Sequence, residues 1–70
     1  MNNKRRSKVE WFEKVFAAAK LQDKVLDRRM TIALYALENN STKRTGRELL
    51  EMFNDLGRIK LGTDGIVVIK

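Results

Sequence analysis

The chain has no proline, and its four glycines stand at 46, 57, 62 and 65. The first 45 residues therefore lack both of the strongest breakers of regular structure, and all the glycine punctuation falls in the last third. That asymmetry separates a helical part from a C-terminal hairpin. Neither half shows an internal repeat or a low-complexity tract.

Hydrophobic spacing divides the helical part. Residues 1–6 carry Lys4, Arg5 and Arg6 with no hydrophobe after Met1, and are expected to form a mobile basic arm. Ser7-Lys-Val-Glu10 reads as a capping box. Val9, Phe12, Phe16 and Ala19 follow at helical spacing, which predicts a first helix over about 8–20. A second helix is expected over about 24–39. Val25, Arg29, Ile32 and Ala36 form one stripe, and Leu26, Met30, Ala33, Leu34 and Leu37 a wider one. Apolar around most of its circumference, it reads as the most buried helix. Leu21-Gln-Asp23 is the expected joint, with Asp23 and Asp27 as rival caps. A single continuous helix is the alternative, and it would need another chain to cover its stripe.

Glu38 to Thr45 has turn chemistry throughout and is expected to be a loop. Thr45-Gly-Arg-Glu48 reads as a second capping box. Leu49, Leu50, Phe53 and Leu56 then supply the buried stripe of a third helix over about 46–56, with Gly57 where a left-handed residue would end it. Arg58 to Leu61 and Ile66 to Ile69 flank an Asp64-Gly65 turn, which predicts a hairpin of 58–61 with 66–69. A three-residue turn would leave Ile66 and Val68 facing outward. A four-residue turn would reverse the last strand. In either case two β-branched residues point away from the helices. Ile66 and Val68 are the expected dimer contacts, by strand addition or by packing on a neighbour's helices. Folding back of the first helix or the arm over the hairpin is the alternative.

Fifteen Lys and Arg against nine Asp and Glu give a formal net charge of +6, which favours a polyanionic partner. There is no His and no Cys, so the usual general bases, thiol nucleophiles and zinc ligands are missing. No glycine-rich phosphate loop is present. Neither an enzyme nor a cofactor nor a metal is expected. A chain this short buries only about 60% of its unfolded surface and commonly gains stability from a second subunit, so a homodimer is expected. No apolar run is long enough for a membrane span. A cytoplasmic protein with no membrane partner is expected.

The order of three helices followed by a hairpin is that of a winged helix-turn-helix. The expected fold class is therefore mainly α with a C-terminal β-hairpin, a winged-helix-like three-helix domain. Residues 45–70 resemble the C-terminal DNA-binding domains of cyclic-AMP-receptor and Fnr type regulators. The resemblance rests on Leu49 or Leu50, Phe53, Gly57, Ile59, Leu61, Gly65, Ile66 and Val68. It implies a recognition helix whose N-terminal residues approach double-stranded DNA in the major groove. Thr45, Arg47 and Glu48 would lie near bases, Lys43 and Arg44 on phosphates, and Arg58 and Lys60 on the wing. Lys4, Arg5, Arg6 and Lys8 of the arm would follow the backbone or enter a minor groove. Two departures are visible. The loop over about 39–45 is longer than the usual tight turn, and Glu48, Glu51 and Asp55 make the third helix acidic. The expected function is a small transcriptional or replication regulator that suits a phage or other mobile element. The alternative is a protein-binding module using that acidic face and the apolar hairpin.

Overall fold

The computed structural model describes the backbone of residues 4–69 and the side chains of residues 8–69. The described chain runs α1 (Lys4–Leu21), β1 (Leu26–Asp27), α2 (Arg28–Glu38), α3 (Lys43–Asp55), β2 (Ile59–Leu61) and β3 (Gly65–Val68). The strands form one antiparallel sheet in the order β1-β3-β2. Mainly helical with a small terminal hairpin, this is the winged-helix-like layout expected from the order of elements.

All three helices stop by the same device. A residue in the left-handed region follows the last turn, and the residue after it donates its N–H back to a carbonyl five residues earlier. In α1 that residue is Asp23 (φ 53°), with Lys24 N–H donating to Ala19 O and Asp23 N–H to Lys20 O. In α2 it is Asn40 (φ 49°), and Ser41 N–H donates to Ala36 O. In α3 it is Gly57 (φ 75°), with Arg58 N–H donating to Phe53 O and Gly57 N–H to Asn54 O. Asp and Asn tolerate this conformation better than other side chains. They therefore break the helical first half without any glycine, and they exclude the single continuous helix.

The helix starts differ from the expected ones. Lys4–Arg6 belong to α1 rather than to an arm, and Ser7 lies inside the helix, where it cannot be its N-cap. Residues 1–3 lie outside the described residues. Asp27, the rival cap, is the N-cap of α2: its Oδ1 accepts from Met30 N–H at 2.9 Å. Residues 24–27, expected to be helical, instead contain β1, which the last strand pulls into an extended pairing. Helix α3 begins three residues before its expected start, because Thr42 Oγ1 accepts from Thr45 N–H at 3.1 Å. The connection between α2 and α3 is therefore only Asn39–Thr42, shorter than the expected loop over about 39–45.

Every aromatic side chain of the molecule meets in the core. Phe12 stacks on Tyr35 at 4.9 Å between centroids, Phe16 meets Phe53 edge-on at 5.1 Å, and Trp11 packs edge-on to Phe12 and Tyr35. Ile32, Leu50, Ile59 and Ile66 complete the buried cluster. The helix expected to be most buried is not so. Only Thr31, Ile32 and Tyr35 of α2 are buried, while Met30, Leu34 and Leu37 are exposed. Of the wider apolar stripe, Met30, Leu34 and Leu37 are left in solvent, while Leu26 packs against the core.

Strand register corrects the expected dimer contacts. Ile59 pairs with Val68, Lys60 with Val67 and Leu61 with Ile66, so the turn is the four-residue one over 62–65. Gly62 N–H donates to Gly65 O at 2.8 Å across it. Ile66 is consequently fully buried and Val68 packs against the core. The outward pair is Val67 and Ile69, beside Lys60. Nor is β3 an edge, since β1 covers one side of it and β2 the other. Strand addition at Gly65 and Ile66 is therefore closed. At β2, Leu61 N–H is already taken by Asn54 Oδ1 at 3.2 Å, which blunts that edge as well.

Candidate nucleic-acid interface

The geometry between α2 and α3 is set by Gly46. A Cβ there would lie 2.9 Å from Tyr35 Cδ2 and 3.5 Å from Ile32 Cγ2. Only glycine lets the first turn of α3 approach α2 this closely. Tyr35 is held on its other side by Phe12, and its hydroxyl donates to Ser41 Oγ at 3.2 Å. The turn and the helix crossing are thus fixed by one buried ring.

This close crossing brings cations together. Lys43, the first residue of α3, lines a shallow cleft with Asp27, Arg29, Met30 and Ala33 of the β1–α2 segment. Arg29 was not among the residues expected to bind. It lines the same cleft as Lys43 across the packing of α2 on α3, and no sequence spacing announces that. Lys43, Arg44 and Arg47 are all exposed on the first two turns of α3. Arg44 Nε lies 3.5 Å from a Glu48 carboxylate oxygen, an exposed pair of the kind that contributes little to stability. Thr45 is half-buried, and its Oγ1 accepts from the Thr42 hydroxyl as part of the cap.

Charge is polarised along α3. Residues 43–47 contain three cations and no acid. Residues 48–55 contain Glu48, Glu51 and Asp55 and no cation. At 1.5 Å per residue, Asp55 stands about 12 Å along the axis from Arg47. That exceeds the Debye length of roughly 10 Å at 0.1 M salt. Glu48 and Glu51 are nearer. Only the N-terminal tip of the helix is cationic.

The wing differs from the expected one. Its turn, Gly62-Thr-Asp-Gly65, carries no cation and is pinned to α2. Arg28 N–H donates to Asp64 O at 3.0 Å, and Arg28 Nη1 to Gly62 O at 3.0 Å. Arg58, expected on the wing, is turned back into the fold. Its two terminal nitrogens donate to the Glu13 carboxylate, and its guanidinium lies 5.5 Å above the Phe53 ring. The hydrogen bonds to Glu13 raise its already high pKa. Arg58 ties β2 to α1 and is not free for phosphate. Lys60 is exposed on the outer face of the sheet. Lys8 is half-buried on α1, and the side chains of Lys4, Arg5 and Arg6 lie outside the described residues. Asn54, another side chain suited to base reading, is engaged by Leu61. Among the described residues, no helix is long and apolar enough to cross a membrane.

Strand order, the four-residue turn and the pinned hairpin define a small winged-helix-like domain. No family model matches the chain, and no curated protein or solved structure matches it.

Proposed function

We propose that this protein binds double-stranded DNA through the N-terminal tip of α3 and the adjoining start of α2, as a small regulator of transcription or replication. The observation that carries this reading is the juxtaposition of Arg29 with Lys43 across the tight helix-turn-helix crossing. Arg44 and Arg47 extend that cationic surface onto the next turn of α3. In helix-turn-helix docking the residues near base edges are those at the start of the second helix. Here that is the only part of α3 without acids. Arg47 is the candidate for base contact. Arg29, Lys43 and Lys60 are candidates for phosphate, and Arg44 joins them once it leaves Glu48.

A salt titration of affinity for duplex DNA tests the proposal. Neutralising about four phosphates per protomer corresponds to a slope of log K against log salt of about −3.6. Arg29→Ala should make that slope shallower by about 0.9 and weaken every sequence alike. Absence of binding at low salt defeats the reading, as does a slope that Arg29→Ala and Lys43→Ala both leave unchanged. One observation favours a second reading. Met52 and Leu56 are exposed near Glu51 and Asp55, a mixed apolar and acidic surface suited to a basic protein segment. In a protein that fails to bind DNA, this face of α3 is the place to look for a partner.

A further inference from the structure

We infer that two copies of this chain pair through the exposed stripe of α2, antiparallel and about a two-fold axis close to Leu34. Met30, Leu34 and Leu37 are 59%, 40% and 78% exposed. Their spacing of four and then three residues is that of a helix–helix seam. Beside them runs a groove of about 450 Å³ between α1 and α2, lined by Trp11, Val15, Val25 and Leu26 as well as Met30 and Leu34. Scattered exposed hydrophobes are ordinary, but a continuous apolar groove extended by a helical stripe marks an interaction surface.

The occupant is argued from charge and size. Lys24 and Asp27 lie at the end of the groove where α2 begins, and Glu38 lies where it ends. Asp27 is engaged in capping α2 through Met30 N–H. Trp11 Nε1 donates to Glu38 Oε1 at 2.8 Å, fixing that carboxylate at the groove's end. An antiparallel copy turns the Glu38 end of each protomer toward the Lys24 end of the other and sets the N-terminus of each α2 on the side of its partner's C-terminus. The surface is self-complementary, as a two-fold interface requires. A parallel copy would set Glu38 against Glu38. The pairing also supplies apolar burial that a domain of this size otherwise lacks. Met30 also lines the cleft of Arg29 and Lys43, so the seam borders that cationic surface, and the pairing does not depend on DNA binding.

The test uses the full chain without DNA. Sedimentation equilibrium should show a dimer, with Leu34→Glu raising its dissociation constant about 30-fold, the effect of losing a central interface anchor. Far-UV circular dichroism checks that the variant remains folded. Lys24→Glu should weaken the dimer about 3-fold, with Glu38→Lys in the same chain restoring it. The absence of native cysteine permits a geometric test. Under mild oxidation Leu34→Cys should link to itself. Met30→Cys should not, but should link to Leu37→Cys in a mixture of the two proteins. A monomer at all accessible concentrations overturns the inference. So does a dimer that Leu34→Glu leaves intact, or self-linkage through Met30→Cys alone, which would mean a parallel seam.

Discussion

Gly46→Ala sets two effects of known size against each other. Alanine is favoured over glycine in a helix interior by about 1 kcal/mol. Position 46 lies inside α3 with ordinary helical backbone, so that gain is available. Against it stands the new Cβ, which would lie 2.9 Å from Tyr35 Cδ2. The ring cannot simply move aside. It has no solvent exposure, it stacks on Phe12 at 4.9 Å, and its hydroxyl bonds Ser41. Overpacking of this kind costs about 1–3 kcal/mol. The net expectation is a loss of about 1 kcal/mol, which for a domain of this size lowers Tm by roughly 4–8 °C. Urea and thermal unfolding of the single variant measure the sum. Repeating the substitution in a Tyr35→Leu background separates the terms. Without the ring, alanine should become neutral or stabilising, giving a coupling of about 1–2 kcal/mol. A higher Tm for Gly46→Ala in the otherwise native chain would refute the close-approach argument and the helix crossing built on it.

Cap positions give a second test. Asp27→Ala and Thr42→Ala should each cost about 1 kcal/mol, whereas Ser7→Ala should cost nothing comparable, because position 7 lies within α1. Replacing the left-handed residues Asp23, Asn40 or Gly57 by Ala should cost about 1 kcal/mol each in urea unfolding, while Asn40→Gly should be tolerated. The register predicts opposite outcomes for neighbouring residues. Ile66→Asp should abolish cooperative unfolding, and Val67→Asp should leave it nearly unchanged. Equal sensitivity at the two positions would mean a strand shifted by one residue. Arg58→Lys should lower Tm by losing the forked contact to Glu13.

Much of this fold was legible in the residues themselves, wherever the signal is local. The stripes Phe12–Phe16 and Leu50–Phe53 face the core because helical periodicity admits no other shared face. Gly57 ends α3 because only a left-handed residue closes its last turn. The Asp-Gly hairpin forms where turn chemistry requires it. The cations Lys43, Arg44 and Arg47 were visible as a cluster for the same reason. The competing caps were not decided locally. Thr42 and Thr45 have the same chemistry, and what separates them is Asn40 turning the chain early enough for α3 to begin at Lys43.

Tertiary structure decided whatever depends on residues far apart in sequence. The two residues of β1 have no strand signal of their own, and they are extended because β3 offers them a partner. That third strand and the burial of Ile66 select the four-residue turn, and with it which β-branched pair faces out. The exposed stripe of α2 looks like core in the sequence, because periodicity reports that a face is apolar but not which neighbour covers it. Arg29 comes to line one cleft with Lys43, and Arg58 is drawn away to Glu13, through helix and strand packing that no local spacing encodes. Local steric preference and capping chemistry fix where elements start and stop, and the packing of distant surfaces fixes which of their faces remain free to bind.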